Sequence, residues 1–339
     1  MMVTYFMGLG GIAGILLPDW EFFDREISKW TQPVCVDDIN RSDVLRPGSS
    51  SQFLVMLKLA HCEIECLNTV QMGSLRKLSL TYVKVGNEMF EKIISGCPSL
   101  QELVMRHVHV LDELRITAPN IEKLDLEYFS RCVLDCPNLK ILNIHLISST
   151  ESILQVVNIP SVCKVHIQST FQIDEIVSKI CTVEQSNFKE LNIPQTMWKR
   201  LHIESQLNED QFIGICRVLN SSPHLEELIV CSYSQQNLRQ DLGKSRKTHE
   251  HHVLSEELSS PCVIPLLKSV TIHGHKVPCQ GLLRLAEFLL KSCVNLEKMV
   301  ILPSTYKLGA VEELKFVKQL LSFPKASANA RVICGSEIY

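Results

Sequence analysis

The stretch that decides the fold reads Cys97-Pro98-Ser99-Leu100-Gln101-Glu102-Leu103-Val104-Met105. Its Pro-Ser pair favours a turn, and the apolar residues that follow have the spacing Leu-x-x-Leu-x-Leu. The pattern recurs three more times along the chain, at residues 136–144, 222–230 and 293–301. The chain is therefore built from repeats, each with one turn and one short strand.

Repeated Leu-x-x-Leu-x-Leu segments are the signature of a leucine-rich repeat, in which each unit adds one strand to a parallel sheet. Several predicted strands begin 18–27 residues apart, near the usual repeat length, and others only about 10 apart, so we expect an irregular coil. The predicted strand cores are Leu54/Leu57/Leu59, Leu75/Leu78/Leu80, Leu100/Leu103/Met105, Leu111/Leu114/Ile116, Ile121/Leu124/Leu126, Leu139/Leu142/Ile144, Val162/Val165/Ile167, Phe188/Leu191/Ile193, Trp198/Leu201/Ile203, Leu225/Leu228/Val230, Leu267/Val270/Ile272 and Leu296/Met299/Ile301.

Helices are predicted in the longer returns between strands, at residues 86–96, 173–183, 208–220 and 280–292. Each segment has one apolar side, as expected of a helix that packs on the outside of a strand layer. The sequence thus predicts an α/β fold: an irregular leucine-rich-repeat solenoid with parallel strands on its concave face and helices and loops outside.

Four regions follow from changes in composition. Residues 1–52 are predicted to form a tail and an end cap, since residues 20–30 have helical spacing and a solenoid needs its end covered. The repeats occupy residues 53–231. Residues 232–262 are polar and predict a surface loop, and residues 263–336 continue the repeat as an α/β unit.

Composition excludes several functional classes. The formal charge of −3 is nearly balanced, so we expect neither nucleic acid nor an anionic membrane as a partner. The apolar amino-terminal residues lack the positive region of a signal peptide, and Pro18-Asp19 ends them before the length of a membrane span. The fourteen cysteines are spread over 339 residues, which is typical of reduced, buried thiols in an intracellular protein.

Residues 8–13, Gly-Leu-Gly-Gly-Ile-Ala, match the dinucleotide-binding fingerprint and follow a strand-like segment. A nucleotide-dependent enzyme is therefore a remote alternative. The fingerprint needs a helix after the glycines, and Pro18 would interrupt it almost at once. The residues more simply belong to a tail, and we predict no cofactor.

Metal and catalytic patterns are incomplete. His61, Cys62 and Cys66 resemble half a zinc site with no second pair, and His249, His251 and His252 lie in the polar segment. The chain has no Gly-x-Ser-x-Gly, Walker or His-Glu-x-x-His motif. We predict no metal and no enzymatic activity.

The positive functional signal is a surface, because alternate residues of each strand point away from the leucines. Stacked strands align them on the concave face, where Arg106 lies close to Asp125 and Glu127, and mixed charge suits a protein partner. The predicted binding residues are Lys77, Ser79, Thr81, Glu102, Val104, Arg106, Lys123, Asp125, Glu127, Asn143, His145 and His166.

Five segments of the carboxy-terminal part follow one another in a recognisable order: IPLLKSVTIHG (264–274), LAEFLLK (285–291), LEKMVI (296–301), LLSFPKAS (320–327) and ARVIC (330–334). In order and spacing they resemble the FBD domain of plant F-box/LRR proteins. Residues 54–230 resemble the leucine-rich region of the same family more loosely. Leu17-Pro18-Asp19 matches the start of an F-box, and residues 20–40 do not continue it.

The resemblance implies a substrate-recruiting relative of SCF-type ubiquitin ligase subunits in the cytoplasm or nucleus. In that family the F-box binds Skp1 of a cullin complex, so contact with Skp1 or cullin requires an F-box supplied elsewhere. The alternative is a leucine-rich-repeat scaffold or decoy with no ubiquitin link.

Overall fold

Turns at the Cys-Pro-x-Leu positions start each repeat, as predicted. In the computed structural model the amide of Leu100 donates to the carbonyl of Cys97, and that of Leu139 to Cys136, both at 3.0 Å. The structure describes residues 2–6, 13–14, 54–64, 71–110, 114–129, 131–146, 153–169, 176–177, 196–205, 207, 209–232, 263–274, 280–303 and 310–335. The statements below concern these residues.

The chain divides into two compact units. The first comprises Met1–Val162 with Thr182–Ser186, and the second comprises Cys163–Cys181 with Asn187–Tyr339. The predicted repeat region, residues 53–231, thus contributes to both. The predicted limits at 232–262 stay a prediction, since residues 233–262 lie outside the described part.

The first unit has a main sheet of mostly parallel strands in the order β2-β1-β3-β4-β5-β8-β10, with β6 beside β4. Among the described strands of this sheet, the antiparallel pairing is that of β1 with β2. The strands are β1 Met2–Phe6, β2 Ala13–Gly14, β3 Met56–Ile64, β4 Lys77–Val85, β5 Glu102–Arg106, β6 His109–Val110, β8 Lys123–Glu127 and β10 Ile141–Leu146. A helix, α1 Asn87–Ser95, follows β4 and buries Met89, Phe90, Ile93 and Ile94, as its spacing predicted.

A second sheet in this unit contains three parallel strands, in the order β11-β9-β7. They are β7 Leu114–Thr117, β9 Arg131–Asp135 and β11 Ile153–Asn158. The strand around Leu114 and Ile116 therefore belongs to this second sheet. The sequence had predicted it as one more strand of the main sheet, and that prediction was wrong. Ile116 and Leu134 are fully buried, so this sheet contributes to the hydrophobic core.

The second unit has one parallel sheet in the order β12-β13-β14-β15-β16-β17. Its strands are β12 Lys164–Ser169, β13 Arg200–Ser205, β14 Glu227–Ser232, β15 Ser269–Gly274, β16 Lys298–Pro303 and β17 Arg331–Cys334. Its helices are α2 Glu209–Asn220, α3 Gln280–Ser292 and α4 Ala310–Ser322. The sequence had predicted α2 and α3, and it missed α4.

Strand register stacks the aliphatic residues into columns within each unit. In the first unit, pairing aligns Leu57, Leu78, Leu103, Leu124 and Leu142, which are all at most 3% exposed. In the second unit the column is Val165, Leu201, Leu228, Val270 and Met299. Each buried side chain contributes about 1.5–3 kcal/mol relative to exposure, so these columns stabilise the sheets.

Two further predictions concern the amino-terminal segment and a strand predicted between β12 and β13. Met2–Phe6 pairs in parallel with β3, so this part of the predicted tail belongs to the main sheet. The predicted strand at Phe188, Leu191 and Ile193 lies outside the described residues. Because β12 pairs directly with β13, no strand separates the cores of Val165 and Leu201.

Asparagine side chains join neighbouring turns. The Nδ2 group of Asn120 donates to the carbonyl of Pro98 at 2.7 Å, and Asn138 donates to Pro119 at 2.8 Å. In the second unit Asn295 donates to Pro265 at 2.7 Å. The same contact thus holds successive turns in both units.

Candidate binding face

The predicted binding residues of the first unit lie on one face of its main sheet, which we call the polar face. β4 shows why, since Leu78 and Leu80 are buried while Lys77, Ser79 and Thr81 are half-buried on the other side. Register forms three rows: Lys77–Glu102–Lys123, Ser79–Val104–Asp125–Asn143 and Thr81–Arg106–Glu127–His145.

In the first row, one glutamate forms ion pairs with a lysine on each neighbouring strand. Oε1 of Glu102 lies 3.0 Å from Nζ of Lys77 and 2.8 Å from Nζ of Lys123. Burial raises the pKa of Glu102, and the hydrogen bonds and charges of the two lysines more than offset this, so the pKa lies below its usual value. The Glu102 carboxylate is therefore ionised at neutral pH, and both lysine ammonium groups lie within salt-bridge distance of it.

Asp125, in the middle row, is a carboxylate that is only 8% exposed. Nδ2 of Asn143 donates to its Oδ2 at 3.2 Å. Its Oδ1 has no hydrogen-bond donor among the described residues, and Nε2 of His145 lies 3.8 Å away. Since an unsatisfied buried acceptor costs about 1–3 kcal/mol, this carboxylate is held in the sheet at a cost in stability.

The third row pairs Arg106 with Glu127, whose Oε2 lies 3.5 Å from Nε of the arginine. Glu127 also approaches Nε2 of His107 at 3.7 Å. The predicted closeness of Arg106 and Glu127 is therefore confirmed.

A stack of aromatic rings borders the polar face, and we call it the ring ladder: His61, Tyr82, His107 and Tyr128. Successive centroids lie 4.9, 4.4 and 3.9 Å apart, with interplanar angles of 10°, 6° and 21°. All four residues have φ between 51° and 54°, in the left-handed region that residues other than glycine adopt infrequently, with asparagine, aspartate and histidine over-represented. The stacking offsets this backbone strain.

Sequence analysis missed the ring ladder. Its members directly follow Ala60, Thr81, Arg106 and Glu127, which pair with one another across the sheet. If the repeats are aligned on these paired positions, the next residue in each repeat is an aromatic or histidine ring. Such an alignment of the sequence would have revealed the ring ladder. Tyr82 is 47% exposed, so the ladder is open to a partner.

His166, the remaining predicted residue, belongs to the second unit. Its ring stacks on His202 with centroids 4.0 Å apart and planes within 5°. Nε2 of His166 lies 3.1 Å from Oε1 of Glu204, and the ligand atoms of His166, His202 and Glu204 all lie within 4.8 Å of one another. These three residues could hold a metal ion, a possibility that the sequence analysis did not consider.

Other predicted features lie mostly outside the described residues: residues 8–12, Cys66, His249, His251 and His252. Ala13–Gly14 is described and forms a strand antiparallel to β1, where the dinucleotide fingerprint calls for the first turn of a helix. Cys97 and Cys136 are buried free thiols, and burial raises their pKa to about 12 and about 11. They are therefore protonated at neutral pH. Among the described helices, none is long and apolar enough to span a bilayer.

Comparison with known proteins supports the repeat. Residues 74–98, which contain β4 and α1, match the family described as Leucine Rich Repeat. A putative F-box/LRR-repeat protein of Arabidopsis thaliana is 24% identical over 210 residues, 53% of this chain and 46% of that protein. An F-box/FBD/LRR-repeat protein of Arabidopsis thaliana is 24% identical over 292 residues, 80% of this chain and 64% of that protein.

A short segment matches a different kind of protein. The signal peptidase complex-like protein DTM1 of Oryza sativa subsp. japonica is 61% identical over 31 residues, 9% of this chain and 28% of that protein. The chain spans less than two thirds of each of these three relatives. Together with the parallel sheets, the matches support a leucine-rich-repeat family and an LRR-like α/β fold.

Proposed function

We propose that the chain is a non-catalytic protein-recognition module whose polar face, with the ring ladder, binds a protein partner. Its architecture in this proposal is an irregular leucine-rich-repeat solenoid, with the polar face concave and residues 263–336 forming an FBD-like cap. The observation that carries the proposal is the alignment of the three polar rows beside exposed Tyr82.

The chemistry of this face favours a protein over a polyanion. Lys77, Lys123 and Arg106 are matched by Glu102, Asp125 and Glu127, so the rows carry no net charge. Tyrosine and arginine are enriched among residues that dominate binding energy, and the ring ladder provides rigid rings beside Arg106.

The relatives' names extend the proposal. Two are F-box/LRR-repeat proteins, so we infer that this chain serves as a substrate-recruiting relative of such ligase subunits, in the cytoplasm or nucleus. Contact with Skp1 or cullin then depends on an F-box supplied elsewhere. The alternative, a leucine-rich-repeat scaffold or decoy without a ubiquitin link, keeps the same binding face.

Affinity capture from plant extract with the full chain tests the binding face. The double variant Tyr82→Ala/Arg106→Ala should lose the proteins captured by the wild type by at least about tenfold, since hot-spot truncations cost 2 kcal/mol or more. The matched control is Glu91→Ala/Lys92→Ala, two exposed residues on α1 of the same unit. Circular dichroism checks that both variants fold.

An identical set of captured proteins for wild type and Tyr82→Ala/Arg106→Ala contradicts the binding face. Skp1 and cullin are scored separately in the same eluates. Their absence defeats the ligase proposal while leaving protein recognition intact, which separates the two readings.

A further inference from the structure

Neighbouring strands of the second unit carry histidine at the same position. β12 reads Lys-Val-His-Ile-Gln-Ser and β13 reads Arg-Leu-His-Ile-Glu-Ser. Their register places His166 beside His202 and Gln168 beside Glu204. On the next strand, β14, Cys231 lies beside Glu204. The apolar residues between them face the core, so nitrogen, oxygen and sulfur donors gather on the opposite face.

Three of these donor residues, His166, His202 and Glu204, bring their ligand atoms to within 4.8 Å of one another. Oε1 of Glu204 lies 3.1 Å from Nε2 of His166 and 3.7 Å from Nε2 of His202. The same Nε2 atom of His202 lies 3.2 Å from Sγ of Cys231. The side chains of His166, His202 and Glu204 are 20%, 31% and 26% exposed, so an ion can reach them without unfolding the sheet.

These separations fit tetrahedral zinc. With Zn–N and Zn–O bonds near 2.1 Å and Zn–S near 2.3 Å, tetrahedral ligand atoms lie about 3.4–3.6 Å apart. The three separations of 3.1, 3.7 and 3.2 Å fall within about 0.4 Å of those values. Sγ of Cys231 approaches His202 and does not belong to the group of ligand atoms that all lie within 4.8 Å of one another. We propose that His166, His202 and Glu204 bind one Zn²⁺ ion, and that Cys231 becomes the fourth ligand once its side chain turns toward the ion.

Binding requires local changes in side-chain torsion: Cys231 must turn about χ1, and the two histidines must turn as well. A metal ligated by imidazole lies in the plane of the ring, and the two rings now stand parallel at 4.0 Å. Both must turn about χ2 so that their planes meet at the ion. This torsion is broad and soft for histidine, so the backbone register need not change.

The surroundings do not oppose a cation. The row on the amino-terminal side holds Lys164 and Arg200, and Nε of Arg200 lies 3.0 Å from Oε2 of Glu227. That carboxylate compensates the arginine. His273 lies beside Cys231 in register, so a further imidazole borders the site on β15.

Mixed nitrogen, oxygen and sulfur donors favour zinc over magnesium or calcium, which prefer oxygen alone. The ion would join β12, β13 and β14, with contacts that span 38 residues from His166 to Glu204 and 29 from His202 to Cys231. Because the site exists only in the folded chain, zinc binding would stabilise the second unit.

Titration of the chelator-treated full chain with Zn²⁺ tests the proposal, read by calorimetry and by thermal unfolding. We expect one equivalent bound and a higher Tm with zinc. His202→Ala and Glu204→Gln should each weaken binding about 100-fold or more, since loss of even an outer-shell partner costs 10–100-fold. Neither variant should show the zinc-dependent rise in Tm.

Two controls separate this site from other histidines. His145→Ala removes a histidine that faces a carboxylate without a second imidazole among the described ligand groups, and should leave zinc affinity unchanged. His249→Ala/His251→Ala/His252→Ala removes the histidine-rich segment and should also leave it unchanged. Loss of binding in that triple variant would assign the zinc to the segment and overturn the proposal.

Co²⁺ reports on the fourth ligand, because thiolate coordination gives a charge-transfer band in the near ultraviolet. The wild type should show this band and Cys231→Ser should lose it. A band that survives Cys231→Ser overturns the assignment of Cys231. Failure of the folded wild type to bind Zn²⁺, or unchanged affinity in both His202→Ala and Glu204→Gln, overturns the site itself. Neither result bears on the proposed protein-binding face.

Discussion

The two units build similar parallel sheets and then add different structure in the returns. In the first unit α1 occupies the return after β4, whereas the chain after β5 and after β8 forms β7 and β9, which join β11 in a second sheet. In the second unit the returns after β13, β15 and β16 form α2, α3 and α4. The same strand pattern thus tolerates two kinds of return.

The length of the return explains the difference. Paired positions on β5 and β8 are 21 residues apart, and those on β8 and β10 are 18 apart. In the second unit, Glu227 follows its partner Arg200 by 27 residues, and Lys298 follows Ser269 by 29. A strand advances about 3.3 Å per residue and a helix 1.5 Å, so only the longer returns can contain a helix and still reach the next strand.

The largest loss of stability should come from truncating buried side chains in the segments that connect the strands of the main sheets. Ile116→Ala in β7 and Leu285→Ala in α3 each remove a side chain with 0% exposure. Both should lower the free energy of unfolding in urea by about 2–5 kcal/mol, because each leaves a cavity. Leu321→Ala, at a leucine that is 57% exposed on α4, is the control and should cost below about 1 kcal/mol. A cost that small for Ile116→Ala would show that the second sheet is not a packed layer.

The next effect concerns how closely α3 approaches the backbone. A Cβ at Gly281 would collide with the carbonyl oxygen of Leu207, a residue with φ of 52°. Gly281→Ala should therefore destabilise the chain by about 1–3 kcal/mol, although alanine is the better helix former. Gly73→Ala in the first unit meets no atom within 4 Å and should be neutral or slightly stabilising. Thermal unfolding of both variants provides the measurement, and equal Tm values would contradict the close approach.

A moderate loss of stability, equal in the two units, is expected from removing the asparagine hydrogen bonds that join neighbouring turns. Asn138→Ala and Asn295→Ala each remove one hydrogen bond to a proline carbonyl of the preceding turn. Both should cost about 0.5–1.5 kcal/mol in urea unfolding. His224→Ala, at the same turn position in the second unit, controls for a surface substitution and should stay within about 0.5 kcal/mol. A cost in one unit alone would mean that the turns are held differently.

The smallest effect depends on pH. Glu102 sits between two lysines, whereas Glu227 pairs with Arg200 and is 38% exposed. Since the folded-state pKa of Glu102 is lowered, its stabilisation is present above about pH 4.5 and is lost as the pH falls through the folded value. Glu102→Gln should cost about 0.5–1 kcal/mol at pH 7, and this cost should shrink as the pH falls below about 4.5. A pH-independent cost for Glu102→Gln would rule out this charge effect.

Sequence patterns predicted the columns and three of the helices because apolar spacing is a strong local signal. The Leu111/Leu114/Ile116 core was assigned to the wrong sheet, since β7 uses the same alternation as the main ladder. The sequence analysis missed β9 because Arg131–Asp135 is short and lacks the Leu-x-x-Leu-x-Leu pattern of the other strands. Spacing shows which residues are buried, and it does not show which layer buries them.

The candidate sites show a second limit. Eleven predicted polar-face residues align in the first unit, because outward alternation follows directly from the strand pattern. The ring ladder depends on positive φ, which the sequence of tyrosine and histidine does not suggest. His202 was not linked to His166 because a strand at residues 188–193 was predicted between them, and β12 pairs directly with β13.

The balanced charges of the polar face also set an expectation for kinetics. Lys77 and Lys123 form ion pairs with Glu102, and Arg106 forms one with Glu127. The electrostatic field of this face is therefore weak beyond the protein surface. A partner that meets this face would arrive without long-range attraction. Its association rate constant should be about 10⁵–10⁶ M⁻¹s⁻¹ and nearly independent of ionic strength, leaving dissociation to determine how long the complex lasts.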